Sequence, residues 1–185
     1  MAELDLIAAD LGVSGRTLRR AAARGTIRLS RPSRYKVVLA ATERRYIRTH
    51  WPLIDQLTRT LRTEKNVRLA VLFGSAARGD DRFGSDVDLL VELADDGRGG
   101  LPLARIELKL ESLLERPVQL VTVPDAEASA ALLSEAIADG RVLIDRDERW
   151  SQLKRREGAL RRRARRYEMQ AQAEAWELLE KLAAR

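Results

Sequence analysis

The sequence predicts a mixed α/β (α+β) domain set between two basic, helical ends. Strand-like and helix-like patterns alternate only in the middle of the chain, and the central strands are nearly continuous apolar runs. The charge changes sign at the same boundaries. Residues 1–65 hold 14 Lys and Arg against 6 Asp and Glu, residues 66–148 hold 9 against 17, and residues 149–185 hold 11 against 5. The net charges are +8, −8 and +6. Such ends suit a polyanion or an acidic partner, while the middle concentrates carboxylates. An ordinary solvated surface loaded with Arg is the alternative for the ends. Three units follow: 1–62, 63–148 and 149–185.

Composition narrows the chemistry. Hydrophobic residues at 45% suffice for a core, but only 4% of residues are aromatic, so Ala, Leu and Val must fill it. Cys is absent, which excludes disulfides, thiolate metal sites, iron–sulfur clusters and a cysteine nucleophile. The lone histidine, His50, argues against a Ser-His-Asp triad or a multi-histidine metal site. The start, MAELDLIAADLG, carries acidic residues where a secretory signal needs a basic region and an apolar run. No run approaches the ~18 apolar residues of a membrane span. The expected location is cytoplasmic, with no membrane partner.

Leu4, Ile7, Ala8 and Leu11 fall at helical spacing, Gly12 supplies a turn, and Ser14 is a good cap for a second helix. That helix turns Leu18 and Ala21 or Ala22 inward and Arg16, Arg19 and Arg20 outward, and Gly25 ends it. Thr26–Val38 holds two short strand-like pieces around Pro32 and Ser33. A helix follows from about Leu39 to Arg62, adjusted at Pro52, and its His50 and Trp51 read as packing residues. The middle gives strands at Val67–Phe73, Val87–Leu93 and Val118–Val123, helices at Leu103–Leu114 and Ala126–Ala138, and a final short strand at Arg141–Ile144. Trp150 to Leu182 reads as one helix, weakly broken at Gly158. Leu153, Leu160, Ala164, Tyr167, Ala171 and Leu178 form its apolar stripe, to be covered by the Leu39–Arg62 helix or by a second copy of the chain, which favours a homodimer. Within it, Lys154–Arg166 holds eight basic residues and one acid, either a solvated face or a contact for a polyanion.

The chemically informative stretch is Leu72–Leu93, LFGSAARGDDRFGSDVDLLVEL. A buried strand ends in Gly74-Ser75, where glycine lets a ligand approach the backbone and free N–H groups suit phosphate. Eleven residues after Ser75 comes Asp86-Val87-Asp88, opening the next strand. Residues i and i+2 of a strand project from one face, with Cα atoms about 6.5–7 Å apart. Two carboxylates so placed repel unless a cation lies between them. Mg²⁺ suits such a pair, completing its shell with substrate phosphates.

GSAARG followed by SDVDLL resembles the signature of the DNA polymerase β-like nucleotidyltransferase superfamily, in its small bacterial minimal nucleotidyltransferase branch, related to the kanamycin nucleotidyltransferases. The pattern is apolar-Gly-Ser, a spacer, then Asp-apolar-Asp, and Ala77, Arg78, Gly79 and Ser85 match the minimal branch as well. The likeness covers roughly residues 60–145. It implies a polymerase β-like domain with a small mixed sheet, an NTP (ATP) substrate and Mg²⁺ or Mn²⁺. It also implies roles: Asp86 and Asp88 as catalytic metal ligands, Gly74, Ser75, Arg78 and Ser85 as nucleotide-binding residues. The family has a third carboxylate, in a segment like RxVDLV. Here that segment is Arg116-Pro117-Val118-Gln119-Leu120-Val121, so Gln119 stands where Asp is expected. Of the other carboxylates, Glu92 lies about 13 Å along the strand from Asp88, and Asp125 falls just past the third strand.

Ala8-x-x-x-Gly12-Val13-Ser14 with Leu18 resembles a helix-turn-helix of the MerR or excisionase type, with Thr26–Val38 as its wing. The resemblance implies DNA binding through Arg16, Thr17, Arg19, Arg20 and Arg24. A helical hairpin that only packs on the central domain is the alternative. The joint expectation is an enzyme transferring a nucleoside monophosphate, AMP from ATP, to a hydroxyl acceptor, with a partner toxin of a toxin–antitoxin pair as acceptor, coupled to DNA binding. The competing expectation is a non-catalytic DNA-binding regulator that only senses nucleotide.

Overall fold

The computed structural model describes residues 2–33, 36–82, 84–94 and 100–183. The N-terminal part comprises α1 (Ala2–Asp10), α2 (Gly15–Arg24), the strands β1 (Ser30–Ser33) and β2 (Lys36–Val38), and the long α3 (Ala41–Thr63). Ser14 caps α2 by accepting from the Thr17 N–H, and Gly25 closes it in the left-handed region. β1 and β2 pair antiparallel; within the expected wing Thr26–Val38, residues 34–35 fall outside the described residues. Pro52 lies inside α3, which buries Tyr46, Ile47, Trp51, Ile54, Leu57 and Leu61.

The centre is a four-stranded sheet in the order β5-β4-β3-β6, built from β3 (Val67–Phe73), β4 (Val87–Leu93), β5 (Val118–Thr122) and β6 (Arg141–Asp145). β3 runs antiparallel to both β4 and β6, and β4 runs parallel to β5. The parallel step is made by the crossover helix α5 (Leu101–Leu114). Strand β3 explains its own apolar run. Ala70 and Leu72 join the core shared with α1–α3 and α5, while Leu69, Val71 and Phe73 join a second core on the other face. That second face is covered by α6 (Val123–Ala128), α7 (Ala130–Asp139), α8 (Arg149–Arg155) and the start of α9 (Glu157–Ala183). A short helix, α4 (Gly74–Arg78), follows β3 directly.

Two helix breaks and the cover of one apolar stripe differ from expectation. The helix expected at Ala126–Ala138 is two helices, because Thr122 caps a first one that starts at Val123-Pro124 and Ser129 breaks it in extended backbone. The last helix breaks at Arg156, whose N–H bonds Leu153 O in a tightened turn, and not at Gly158. The first part of its stripe, Leu153 and Leu160, is buried in the core with α7, so neither α3 nor a second copy covers it. Tyr167 is 71% exposed, and the side chains of Ala164, Ala171 and Leu178 lie outside the described ones. Among the described residues no helix is long and apolar enough to cross a membrane.

One buried charge ties the N-terminal part to the sheet. Arg141, on β6, is 1% exposed. Its guanidinium grips Glu43 of α3 twice, at 2.6 and 2.9 Å, and donates to Thr26 O at 3.1 Å and Ala77 O at 2.6 Å. It also stacks over the Tyr46 ring at 3.4 Å. Around it, Arg24 donates to Leu143 O at 2.8 Å, the Thr26 hydroxyl to Val142 O, and Arg28 to Asp139 O.

Candidate active site

β3 delivers Gly74 to the edge of the site, and β4 delivers Asp88 beside it. The register sets Phe73 opposite Asp88, so the Asp88 carboxylate falls against the glycine that follows. Gly74 has φ +69°, and a Cβ there would collide with Asp88 Oδ2. Glycine is therefore required twice over, by backbone conformation and by space. Asp86 lies just before β4, which begins at Val87 and not at Asp86.

No cation is ion-paired with Asp86 or Asp88 among the described residues. Burial, then the neighbouring Asp86 and Glu135 carboxylates, push Asp88 above the usual carboxylate range. Gln119 stands beside Asp88 in register on the parallel neighbour β5 and is exposed. The residue expected at the third-carboxylate position is thus a neutral amide on the row of Asp88. The alternatives are committed elsewhere. Glu92 binds Arg149 at 2.9 Å, and Asp125 bonds the Thr122 hydroxyl at the start of α6.

Ser75 is half-buried at the start of α4. Arg78, at the end of α4, bridges Asp80, Glu135 and Asp139 at 3.0–3.3 Å. Its hydrogen bonds, that to Asp139 foremost, hold its guanidinium above the usual range. Ser85 uses its hydroxyl locally, accepting from the Arg82 N–H at 2.9 Å.

A supporting layer was not legible as such in the sequence. Arg116, just before β5, donates to Ser85 O at 2.9 Å, to Asp86 O at 3.5 Å and to Asp81 at 3.1 Å. Asp81 in turn bonds His50 Nε2 at 2.9 Å, and the His50 ring stacks on Tyr46 with centroids 4.4 Å apart. Burial raises Asp81, but the His50 and Arg116 hydrogen bonds outweigh it and hold the carboxyl below its usual range. His50, expected only to pack, therefore also anchors the loop that carries Asp86. Gly79, with φ +85°, fits under this stack, where a Cβ would come within 2.8 Å of Tyr46. The only sequence signal was the acidic pair Asp80-Asp81 inside the Gly-Ser to Asp-x-Asp spacer.

The expected DNA-contacting residues all lie on α2, in different surroundings. Arg16 and Arg20 are exposed on α2. Arg19 pairs with Asp5, the Thr17 hydroxyl bonds Ser14 Oγ at 2.8 Å, and Arg24 is engaged by Leu143 O.

Gly74-Ser75, directly after β3, thus lies against Asp88 of β4, with Asp86 just before that strand. The polymerase beta nucleotidyltransferase family matches residues 55–149, just over half of the chain, and the chain belongs to that family. A candidate protein adenylyltransferase of Methanocaldococcus jannaschii is 39% identical over 56 residues, which are 30% of this chain and 59% of that relative. The chain thus spans about three-fifths of the length of the curated relative it matches. Among solved structures, a toxin–antitoxin with AMP-PNP is 22% identical, covering 70% of this chain and 97% of that one, with a TM-score of 0.49. A candidate minimal nucleotidyltransferase is 36% identical, covering 41% of this chain and 76% of that one, with a TM-score of 0.33.

Proposed function

We propose that this chain is a divalent-metal-dependent nucleotidyltransferase that moves AMP from ATP onto a hydroxyl of a partner protein, and that its N-terminal part holds DNA. The observation that carries the reading is the Asp86/Asp88 pair, without a cationic partner among the described residues, set against the glycine that ends β3. The short likeness to a candidate protein adenylyltransferase supports the adenylyl donor and the protein acceptor. A cognate toxin in a toxin–antitoxin pair is the acceptor we assign.

The donor set fits Mg²⁺ or Mn²⁺, because hard carboxylate oxygens that repel one another lose that penalty when a cation joins them. When bound, the ion supplies Lewis-acid polarisation of the phosphoryl group. The Gly74 backbone and half-buried Ser75, at the start of α4 beside Asp88, are the groups we assign to the triphosphate. Arg78 reaches substrate only by exchanging one of its three carboxylates for a phosphate. Arg116 and Asp81 hold the backbone of Ser85 and Asp86 in place.

For DNA, Arg16 and Arg20 are exposed cations of α2 without an ion-pair partner among the described residues, and the β1–β2 pair is the proposed wing. Exposed Tyr167, Met169 and Trp176 on α9 support a homodimer through that helix; light scattering on a variant with Tyr167 and Trp176 replaced by Glu tests it, and an unchanged mass rejects it.

A second reading has its own observation. Gln119 beside Asp88 adds no charge and no base, which favours a nucleotide-sensing DNA-binding regulator without catalysis. Incubation with each labelled NTP and Mg²⁺ or Mn²⁺, with and without the product of the neighbouring gene, separates the two. Label transfer that disappears in Asp88→Asn supports the enzyme; metal-dependent binding without transfer supports the sensor.

A further inference from the structure

Between α2 and α3 lies a cleft of about 210 Å³. Its walls carry Arg20 and Arg24 from α2 and Arg59 and Arg62 from α3, against a single carboxylate, Asp55. Asp55 is already taken by Arg59, at 2.8 Å. Among the described residues no carboxylate pairs with Arg20, Arg24 or Arg62. Burial, then the charge of Arg62, hold the Arg24 guanidinium below its usual range.

A second observation comes from neutral and charged donors on the same walls. Arg24 Nε and the Trp51 indole Nε1 are both buried and lack a hydrogen-bond partner among the described residues. Trp51 itself is 5% exposed. Native interiors rarely leave such donors unmatched, and each one left so costs stability. The donors and the cations therefore miss the same thing, an acceptor bearing negative charge.

We propose that this cleft binds the phosphoryl group of a small phosphorylated molecule. Planar guanidinium groups match phosphate oxygens in pairs, and three unpaired cations suit a ligand with two or more negative charges. The buried donors favour a ligand that enters the cleft over a duplex backbone, whose phosphates meet exposed side chains. Arg20 and Arg24 also belong to the proposed DNA-contacting set, so the ligand and DNA draw on the same residues, and each weakens the other.

The test uses the full chain, inorganic pyrophosphate without metal, and the amide and indole spectrum of ¹⁵N-labelled protein. The chain has three tryptophans, and Trp51→Phe identifies the Trp51 indole signal. Pyrophosphate is expected to move that signal downfield and saturably, leaving Trp150 and Trp176 unmoved. Arg20→Ala and Arg62→Ala, at exposed positions, should each weaken binding by about tenfold. Asp88→Asn should leave it unchanged, so failure at the cleft and failure of the transferase reading are separate results. A Trp51 signal unmoved by millimolar pyrophosphate, moved equally by sodium chloride of matched ionic strength, or moved only by short duplex DNA would overturn the proposal.

Discussion

Arg141 and Asp88 both pack against α4, yet the fold treats their charges in opposite ways. Arg141 is buried with a paired carboxylate, two backbone carbonyls and an aromatic face around it. Asp88 meets a second carboxylate, a glycine and a neutral amide. The first arrangement is complete in itself and holds elements together. The second has no paired cation among the described residues, which is what the proposed metal site requires. Whether the fold supplies a charge with its partner thus separates structural ionic groups from those kept for a ligand.

The comparison can be broken most severely at Glu43. Glu43→Ala strands the buried Arg141 guanidinium and should cost about 3–5 kcal/mol, read from urea unfolding. Pairing Glu43→Leu with Arg141→Met should restore most of that loss, since two apolar groups leave no charge to solvate. Gly74→Ala comes next: it forces a Cβ into Asp88 at positive φ, and should cost about 1–3 kcal/mol together with metal-dependent nucleotide binding.

Asp88→Asn should abolish that binding while raising the melting temperature at neutral pH. The sign follows from linkage. A carboxyl held above its unfolded value destabilises the native state when ionised, and this penalty vanishes as pH falls below the ordinary carboxylate range. Melting curves of the variant and the parent should therefore converge in acid. Asp81 has the opposite sign: its stabilisation is present above the ordinary range and is lost as acid protonates it, so Asp81→Asn should flatten the acid limb of the same curve. Gln119→Asp should change stability least of these site variants, adding one more repelling charge, yet strengthen Mg²⁺-dependent nucleotide binding in a calorimetric titration. Arg68→Ala breaks the exposed 2.7 Å pair with Asp147 and should stay within about 0.5 kcal/mol.

Much of this was legible in the chain. The apolar run Val67–Phe73 announced a strand buried on both faces, and the Gly-Ser and Asp-x-Asp segments were expected together and lie together, because those features arise from local period and from residue types with few alternative uses. Gln119 falls in register beside Asp88, since β5, read from its apolar pattern, pairs parallel with β4. Arg141 was not foreseen. A buried arginine has no periodic signature, and its partner Glu43 is 98 positions away. His50 was read as packing, which it does through Tyr46, but its bond to Asp81 depends on a loop whose path no local pattern specifies. The split of the Ala126–Ala138 helix was missed because Pro124, at the start of α6, was not weighed as a helix-opening residue.

The Arg141 node also bears on the order in which a newly made chain can mature. Residues up to the end of α3 leave the ribosome with Glu43 lacking its counter-ion, and they wait for Arg141 to be synthesised. At about 5–20 residues per second, those 98 positions take about 5–20 s. Until then the nascent N-terminal helices hold a carboxylate at a position that is buried in the finished fold. When β6 arrives, one guanidinium ties Thr26 and Glu43 to Ala77 of α4. The N-terminal part and the Gly74–Arg78 helix are therefore tied by the same residue, and only after β6 has been made.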